Sequence, residues 1–255
     1  MGSMDLFLRN RTVATLTDRE RAALESAVAE RKRLAARATL VERGDTLRQS
    51  TMLISGFMIR YIDDLEGHRQ VVAFHVPGDF VDLHGYPLHK LDHSIATLTE
   101  ASIATVPHDA LKQLTEADTE LARKMWASTL LDAAIHREWL FRLGRLGAMG
   151  RVAHFFAETH ARLEAIGLGD GSGYDLPITQ TDLSEITGLT SIHVNRVLRS
   201  LRESRTCVFR SSRVEIFDRG QLERNGQFDP AYLYLKPPAG DRALEAPEKE
   251  FVDGS

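Results

Sequence analysis

The chain has 255 residues, of which 43% are hydrophobic and 27% charged, and its formal net charge is −4 at pH 7. This composition predicts a soluble, cytoplasmic globular protein with room for two domains. No apolar run approaches ~20 residues, which excludes a membrane-spanning protein, and the one cysteine, Cys207, excludes both an intrachain disulfide and an iron–sulfur cluster, which needs about four thiolates.

The N-terminal region predicts a short arm followed by a helix. Met1-Gly2-Ser3-Met4 looks like an expression scar before a native Met4, and we assign residues 1–15 to this scar and an arm. Residues 17–20, Thr-Asp-Arg-Glu, are typical of a helix start, and an amphipathic helix continues to about Ala29.

From Leu34 to Val106 the hydrophobic pattern has a period of two and is rich in β-branched residues, as in Leu53–Ile62 and Arg69–Val76. The runs are separated by predicted turns at Gly44-Asp45, Glu66-Gly67 and Pro77-Gly78. Strands at this spacing predict a small antiparallel barrel or jelly roll, which we place in residues 16–115.

A long helix is predicted for residues 116–146, with an apolar stripe made by Leu121, Met125, Ile135 and Trp139. Such a stripe needs a partner, and we expect it to pair with a second copy of the chain; a helix packed only on its own barrel is the alternative. Gly144, Gly147 and Gly150 predict a break after this helix, which could be a hinge or a plain connection.

After a further helix at Arg151–Ile166 and a flexible stretch at Gly167–Pro177, the sequence predicts two short helices joined by a turn. Thr179 with Asp182 is typical of a helix start, and Gly188 supplies the sharp turn. The second helix has a buried stripe of Val194, Val197, Leu198 and Leu201. This pattern predicts a helix-turn-helix.

The opposite stripe of the second helix consists of Ile192, Asn195, Arg196 and Arg199. Arg can bind guanine through two hydrogen bonds, Asn can bind adenine, and an apolar side chain can contact a thymine methyl group. Between Ser191 and Arg213 there are six arginines and one acid, Glu203, so the local charge is positive. These features predict DNA binding through the major groove.

The segments that follow predict a wing and a closing segment. Thr206–Phe209 and Val214–Phe217 are β-branched or apolar runs that flank four polar residues, which indicates a hairpin. Phe228–Leu233 is expected to pack on this winged domain, residues 147–235. Residues 236–255, with three prolines and many acids, are predicted to be disordered.

In order and spacing, the motifs from about Leu16 to Leu235 resemble those of the CRP/FNR superfamily of bacterial transcription regulators. They are Gly44-Asp45, Ser55-Gly56-Phe57, Pro77-Gly78-Asp79-Phe80, Arg151-Val152-Ala153, Thr179-Gln180-Thr181-Asp182-Leu183 and the block Gly188–Leu198. The resemblance implies an α+β fold, with a cyclic-nucleotide-binding-like jelly-roll barrel, a dimerisation helix and a winged helix-turn-helix. It also implies a homodimer on a pseudo-palindromic DNA site, and contact with RNA polymerase if the protein is an activator.

The resemblance assigns roles in DNA binding to individual residues. Base edges are expected to meet Ser191, Ile192, Asn195 and Arg196. Phosphates are expected to meet Thr179, Gln180, Thr181, Thr190, His193 and Arg199. Many members carry Glu where this chain has Ile192, so its preferred base sequence should differ from that of the cyclic-AMP regulator.

The resemblance places the effector in the barrel, but the residues there disfavour cyclic AMP. The arginine that holds the cyclic phosphate in cyclic-AMP binders is replaced by His93, and His136 and Arg137 stand where those members carry small hydroxyl residues. The candidate pocket residues are Phe74, Phe80, Asp82, Leu83, His84, His93, Ser94, His136 and Arg137. Another small molecule, a metal or haem, or no ligand at all remain as alternatives.

The histidines leave further alternatives open. Six of the ten lie between residues 68 and 108, and His84, His89 and His93 are weak candidates for metal ligands or for pH sensing. A metal- or haem-responsive regulator, or a cupin-like metalloenzyme, would use them, although no established ligand spacing is present. The enzyme would leave the helix-turn-helix unexplained, as would a protein that uses it only for pairing with other proteins.

Overall fold

The computed structural model describes residues 2–236, so most of the predicted tail lies outside the described residues. Within residues 2–236, no helix combines the length and the apolar character that crossing a membrane would require. A barrel domain comes first, then a long helix, then a helical domain with a small sheet, which confirms the predicted α+β fold.

The barrel domain opens with helix α1, Asp18–Ser26, whose predicted start is confirmed. Thr17 Oγ1 accepts a hydrogen bond from the Glu20 N–H (3.2 Å), and Glu20 Oε2 accepts one from the Thr17 N–H (2.6 Å). This reciprocal pair satisfies two N–H groups that a helix start leaves free. The helix ends at Ser26, three residues before the predicted end.

Seven strands form the barrel as two antiparallel sheets, ordered β1-β7-β3 and β2-β6-β4-β5. The strands are β1 Glu30–Leu34, β2 Thr39–Val41, β3 Gln49–Ser55, β4 Met58–Asp63, β5 Arg69–His75, β6 Ser94–Thr97 and β7 Ala101–Pro107. The predicted run Leu53–Ile62 is two strands, because the backbone turns at Gly56 with φ +84°, a conformation that favours glycine. A single turn of helix, α2 (Gly85–Leu88), separates β5 from β6.

The predicted long helix, residues 116–146, is confirmed as α4 (Thr119–Arg145), and a shorter helix, α3 (His108–Ala117), precedes it. Asp118 separates them, and its side chain caps α4 by accepting a hydrogen bond from the Leu121 N–H at 3.0 Å. The predicted break after α4 is confirmed: Leu146 is extended, and Gly147 is the N-cap of α5 (Ala148–Ile166). Gly150 lies inside α5 and is no part of the break.

The C-terminal domain combines helices with a three-stranded sheet ordered β8-β10-β9. Its elements are β8 Gly173–Asp175, α6 Gln180–Thr187, α7 Ser191–Glu203, β9 Cys207–Arg210, β10 Arg213–Ile216, α8 Arg219–Gly226 and a 3-10 turn at Pro230–Leu233. The predicted wing is confirmed as β9 and β10. The prediction that 167–177 is a flexible stretch is wrong, because β8 lies there and buried Tyr174 donates a hydrogen bond to Phe156 O at 3.0 Å.

The barrel and the C-terminal domain share one apolar core. The Phe74 ring of β5 stacks on Phe57, with centroids 5.2 Å apart, and meets the edge of Phe155 of α5 at 5.1 Å. The first residues of the chain also enter the interior: Met4 is completely buried, and Leu6, Phe7 and Leu8 are buried around it. The two domains are therefore packed together over a continuous interior.

Candidate DNA interface and effector cup

The helix-turn-helix is built as its local sequence predicts. Thr179 Oγ1 donates to Asp182 Oδ2 (2.7 Å) and accepts from the Asp182 N–H (3.1 Å), which starts α6. Gly188 ends α6 with φ +61°, and Thr190 Oγ1 caps α7 by accepting from the His193 N–H at 3.4 Å. The predicted apolar stripe of α7 packs inward, so its opposite face is left to solvent.

The exposed face of α7 carries the residues predicted to meet base edges. Ile192 is 72% exposed, and Asn195 and Arg196 are exposed beside it. Asn195 Nδ2 donates to Ser191 O within the helix (3.0 Å). Within residues 2–236, no acceptor lies within hydrogen-bond distance of the Arg196 guanidinium. Its donors therefore need no rearrangement before they bind an acceptor on DNA.

The residues predicted to meet phosphate are exposed at the starts of α6 and α7. The hydroxyls of Thr179 and Thr190 are occupied by capping, so the free backbone N–H groups of the first turns are the stronger phosphate donors there. Arg199 lies two turns into α7 and its Nε donates to Glu203 Oε1 at 2.8 Å. That bond uses one of the five guanidinium N–H donors, and the neighbouring carboxylate opposes a phosphate at the same position.

One contact to the helix-turn-helix was not foreseen from the sequence. Arg37, in the turn between β1 and β2, donates two hydrogen bonds to the buried carboxylate of Asp182, at 2.7 and 2.8 Å. Gln70 of β5 donates to Glu185 O of α6 at 2.9 Å. Because Asp182 also completes the capping pair with Thr179 at the start of α6, the barrel holds the first helix of the motif directly.

The structure places the four α4 residues predicted to form the dimer surface against their own chain. Leu121, Met125 and Trp139 are buried inside their own chain, and Ile135 packs half-buried against the same core. The helix has a second apolar stripe, which does face solvent, and it consists of Trp126, Leu130, Leu140 and Phe141. The barrel and the C-terminal domain cover the first stripe, so a partner can reach only the second.

The barrel mouth encloses a cavity of about 60 Å³ between β5, α4 and α5, which we call the cup. Four of the nine predicted pocket residues line it: Phe74, Phe80, Leu83 and His84. The other five do not. The Asp82 carboxylate accepts from the Thr51 N–H (2.5 Å), and burial raises its pKa to about 7, while His93 Nδ1 lies 2.8 Å from Asp92 Oδ1.

The remaining three predicted pocket residues also lie elsewhere. Ser94 Oγ accepts from the Arg43 N–H at 3.0 Å, and His136 Nδ1 lies 2.8 Å from Asp132 O. Arg137 is exposed on α4, between Leu130 and Leu140 of the solvent-facing stripe. It therefore belongs to the outer surface of the helix and not to the cup.

Charged residues that the sequence did not single out line the cup instead. Arg60 of β4 donates to Asp132 Oδ2 of α4 at 2.6 Å and to Val81 O at 2.7 Å. Burial, and then the charge of Arg60, lowers the pKa of His75 to about 4 and that of His84 to about 3. Both imidazoles are therefore neutral at pH 7, and neither titrates between pH 5 and 8.

The histidines do not converge on one point. The rings of His84 and His93 are 5.2 Å apart, whereas His89 lies 6.3 Å from His108. In the part of the chain that the structure describes, no three His, Cys, Asp or Glu side chains are grouped so that they could hold a metal ion. The geometry offers no support for the metal hypothesis.

Comparison with known proteins matches both halves of the chain. Residues 31–118 match the model of the cyclic nucleotide-binding domain, and residues 150–225 match that of the Crp-like helix-turn-helix domain. The chain is similar to the transcriptional activator protein FnrL of Cereibacter sphaeroides, with 25% identity over 203 residues, covering 78% of this chain and 80% of FnrL. It is also similar to the nitrogen fixation regulation protein FixK of Rhizobium meliloti, with 28% identity over 148 residues, covering 58% of this chain and 64% of FixK.

The structure agrees with these relatives. FixK2 from Bradyrhizobium japonicum superposes with a TM-score of 0.71 at 25% identity, over 77% of this chain and 96% of FixK2. The barrel, the long helix and the winged domain thus share the fold of FixK2. The chain belongs to the CRP/FNR superfamily and is a transcription regulator with a DNA-binding helix-turn-helix.

Proposed function

We propose that the protein binds a pseudo-palindromic DNA site as a homodimer and reads each half-site with the exposed face of α7. The observation that carries this proposal is the set of exposed Ile192, Asn195 and Arg196 on one helix face, with five further arginines following it up to Arg213. Arg196 is the base anchor, Asn195 is suited to adenine once it leaves Ser191 O, and Ile192 is suited to a thymine methyl group. Phosphates bind at the starts of α6 and α7.

The dimer forms through the solvent-facing stripe of α4. Trp126 is 64% exposed and Leu140 is 72% exposed, which is far more than a helix packed only within its own chain needs. Trp126, Leu130, Ala133, Arg137 and Leu140 follow one another at alternating spacings of four and three residues, the repeat of a two-stranded coiled coil. A two-fold axis along this seam sets two α7 helices on half-sites ~34 Å apart, one turn of DNA.

This DNA-binding role sets where the protein acts and which molecules it contacts. The protein acts on chromosomal DNA in the cytoplasm by binding alone, with no catalytic step, and contacts RNA polymerase if it activates transcription. Cyclic AMP is not its effector, because His93 replaces the phosphate-binding arginine and the cup of about 60 Å³ is far smaller than the ~300–1,000 Å³ of a small-molecule site. Adding cyclic AMP should leave DNA affinity unchanged.

Replacement of Arg196 tests the base assignment. A random-sequence DNA selection first defines the preferred site, and fluorescence anisotropy then compares affinities at fixed salt, because salt changes every protein–DNA affinity. Arg196→Ala should cost about 1–3 kcal/mol, or roughly 5- to 150-fold in Kd, and should relax one base position. Arg33→Ala, which removes an exposed arginine from the barrel, is the matched control and should bind as the wild type does.

Two results would contradict the proposal. Failure of the selection to enrich any sequence would remove the specific DNA-binding role, and an Arg196→Ala protein with unchanged affinity and base preference would remove the assignment of α7. Ile192→Glu provides a second test, because a carboxylate accepts from the cytosine amino group and an isoleucine cannot. The selected half-site should then change at one position.

A further inference from the structure

The N-terminal arm, residues 4–15 after the predicted scar, packs against the barrel through its first residues. The Met4 N–H donates to Glu25 Oε2 of α1 (3.0 Å). The Phe7 ring meets the ring of Phe80 edge-on, with centroids 5.1 Å apart. Met4, Phe7 and Leu8 belong to the same buried cluster as Leu83 of the barrel and Leu121 and Met125 of α4. The arm thus contacts the barrel and the long helix at once.

The arm also lines the cup. Residues 6–9 and Arg11 line the cavity on one side, opposite Arg60, His84 and Asp132. The fit is tight at Gly78, where a Cβ atom would lie 2.7 Å from Leu6 O. Apolar side chains of the arm fill the space beside Phe80 and Leu83, and only about 60 Å³ remains. The arm therefore forms part of the wall of the cup.

At its other end the arm is paired with the closing segment of the winged domain. The Thr12 N–H donates to Tyr234 O (2.8 Å), the Lys236 N–H donates to Asn10 O (2.9 Å), and Arg11 and Leu235 form an antiparallel bridge. The buried guanidinium of Arg11 donates to Leu233 O. Asn10 Nδ2 donates to Ala165 O at the end of α5 (2.5 Å). One short segment is thus fixed to both domains.

We propose that the arm is the built-in ligand of the cup, and that it holds the winged domain in its DNA-binding position without a small molecule. Apolar side chains of the arm fill the cup, and the backbone of residues 10–12 ties the filled cup to residues 233–236. Release of either contact removes the arm's share of the contacts that fix the winged domain to the barrel. Given the proposed DNA-binding function, the signal that sets the position of the winged domain is then a segment of the chain itself and not a separate ligand.

Phe7→Ala removes the ring that contacts Phe80. Phe7→Leu also removes the ring but keeps most of the apolar volume of the side chain. Thr12→Pro removes the N–H that donates to Tyr234 while leaving the buried cluster intact, so it tests the second contact even if Phe7→Ala does not fold. Leu65→Ala is the control, because Leu65 is a fully exposed apolar residue at the tip of the β4–β5 turn.

Two readouts are needed: hydrogen exchange of the Lys236 amide, which donates to Asn10 O and is present in every variant, and affinity for the selected DNA site in protein shown by native mass spectrometry to carry no ligand. We expect Phe7→Ala and Thr12→Pro to speed exchange and to weaken DNA binding at least tenfold. Phe7→Leu and Leu65→Ala should stay within threefold of the wild type.

Wild-type exchange and affinity in Thr12→Pro, or tighter DNA binding by either arm variant, would overturn the proposal. A wild-type chain that binds DNA only after a small molecule is added would overturn it as well. If the wild type binds no DNA at all, the proposed function fails, while unchanged exchange of the Lys236 amide in the variants would separately remove the arm's structural role.

Discussion

Arg162 of α5 holds two carboxylates at the junction of the barrel and the winged domain, and its replacement should be severely destabilising. Its Nη2 donates to Asp79 Oδ2 of the barrel turn at 2.5 Å, and its Nη1 donates to Glu158 Oε1 at 3.3 Å and to Phe74 O at 2.9 Å. Burial alone would raise the pKa of Asp79 and Glu158, but the charge of Arg162 lowers both.

The magnitude follows from the burial of the partners. Removal of one member of a buried ion pair leaves an uncompensated charge and costs ~3–5 kcal/mol, and we expect Arg162→Met to fall in this range at pH 7. In the variant, the pKa of both carboxyls should rise because burial is no longer opposed. The loss should therefore shrink as the pH is lowered and the carboxyls become protonated.

Urea unfolding followed by tryptophan fluorescence would measure the effect, since Trp139 Nε1 donates to Glu158 Oε1 at 3.3 Å. Adding Glu158→Gln to Arg162→Met should recover part of the loss, because the amide keeps an acceptor for the Tyr232 hydroxyl, now 2.7 Å from Glu158 Oε2, and carries no charge. A loss below ~1 kcal/mol in the single variant, or no recovery in the double, would refute the reasoning.

Three further outcomes are expected. Burial lowers the pKa of His75 in the folded state from 6.5 to about 4, so its contribution to stability is complete above pH ~6.5 and is lost as the pH falls to 4. In His75→Gln, the free energy of unfolding should therefore lose ~3 kcal/mol less between pH 6.5 and pH 4 than in the wild type, as measured by unfolding titrations at each pH. Leu140→Arg should convert the dimer to a monomer in sedimentation, while Leu65→Arg should not. Arg37→Ala should cost at most ~1 kcal/mol in unfolding, because Arg37 is 57% exposed and Asp182 keeps its capping role; a larger cost would mean that the barrel contact itself stabilises α6.

Local signals explain why the DNA-reading element was predictable. The capping pair Thr179–Asp182, the turn glycine Gly188 and the period of α7 are set by residues within a few positions of one another, and the structure has all of them where the sequence indicates. Exposure of Ile192 and Arg196 follows from that same period, since one side of a helix must face away from the core.

Residues far apart in the chain decided the rest. Helix α4 has two apolar stripes, and the sequence alone does not say which is buried; the barrel and the C-terminal closing turn pack on the stripe with Leu121 and Trp139, which leaves Trp126 and Leu140 outside. The hydrophobic period shows that a helix face is apolar. Which element covers that face depends on contacts between segments that are distant in the sequence.

The same limit applies to the cup. The sequence by itself determined a barrel, a long helix and a winged DNA-reading motif, because strand alternation, helix period and capping are local. Only the tertiary structure brought Phe7 against Phe80 and residues 10–12 against residues 233–236. The apolar residues of the arm form no local pattern from which their binding site could be predicted. Their position in the cup is therefore known only from the folded chain.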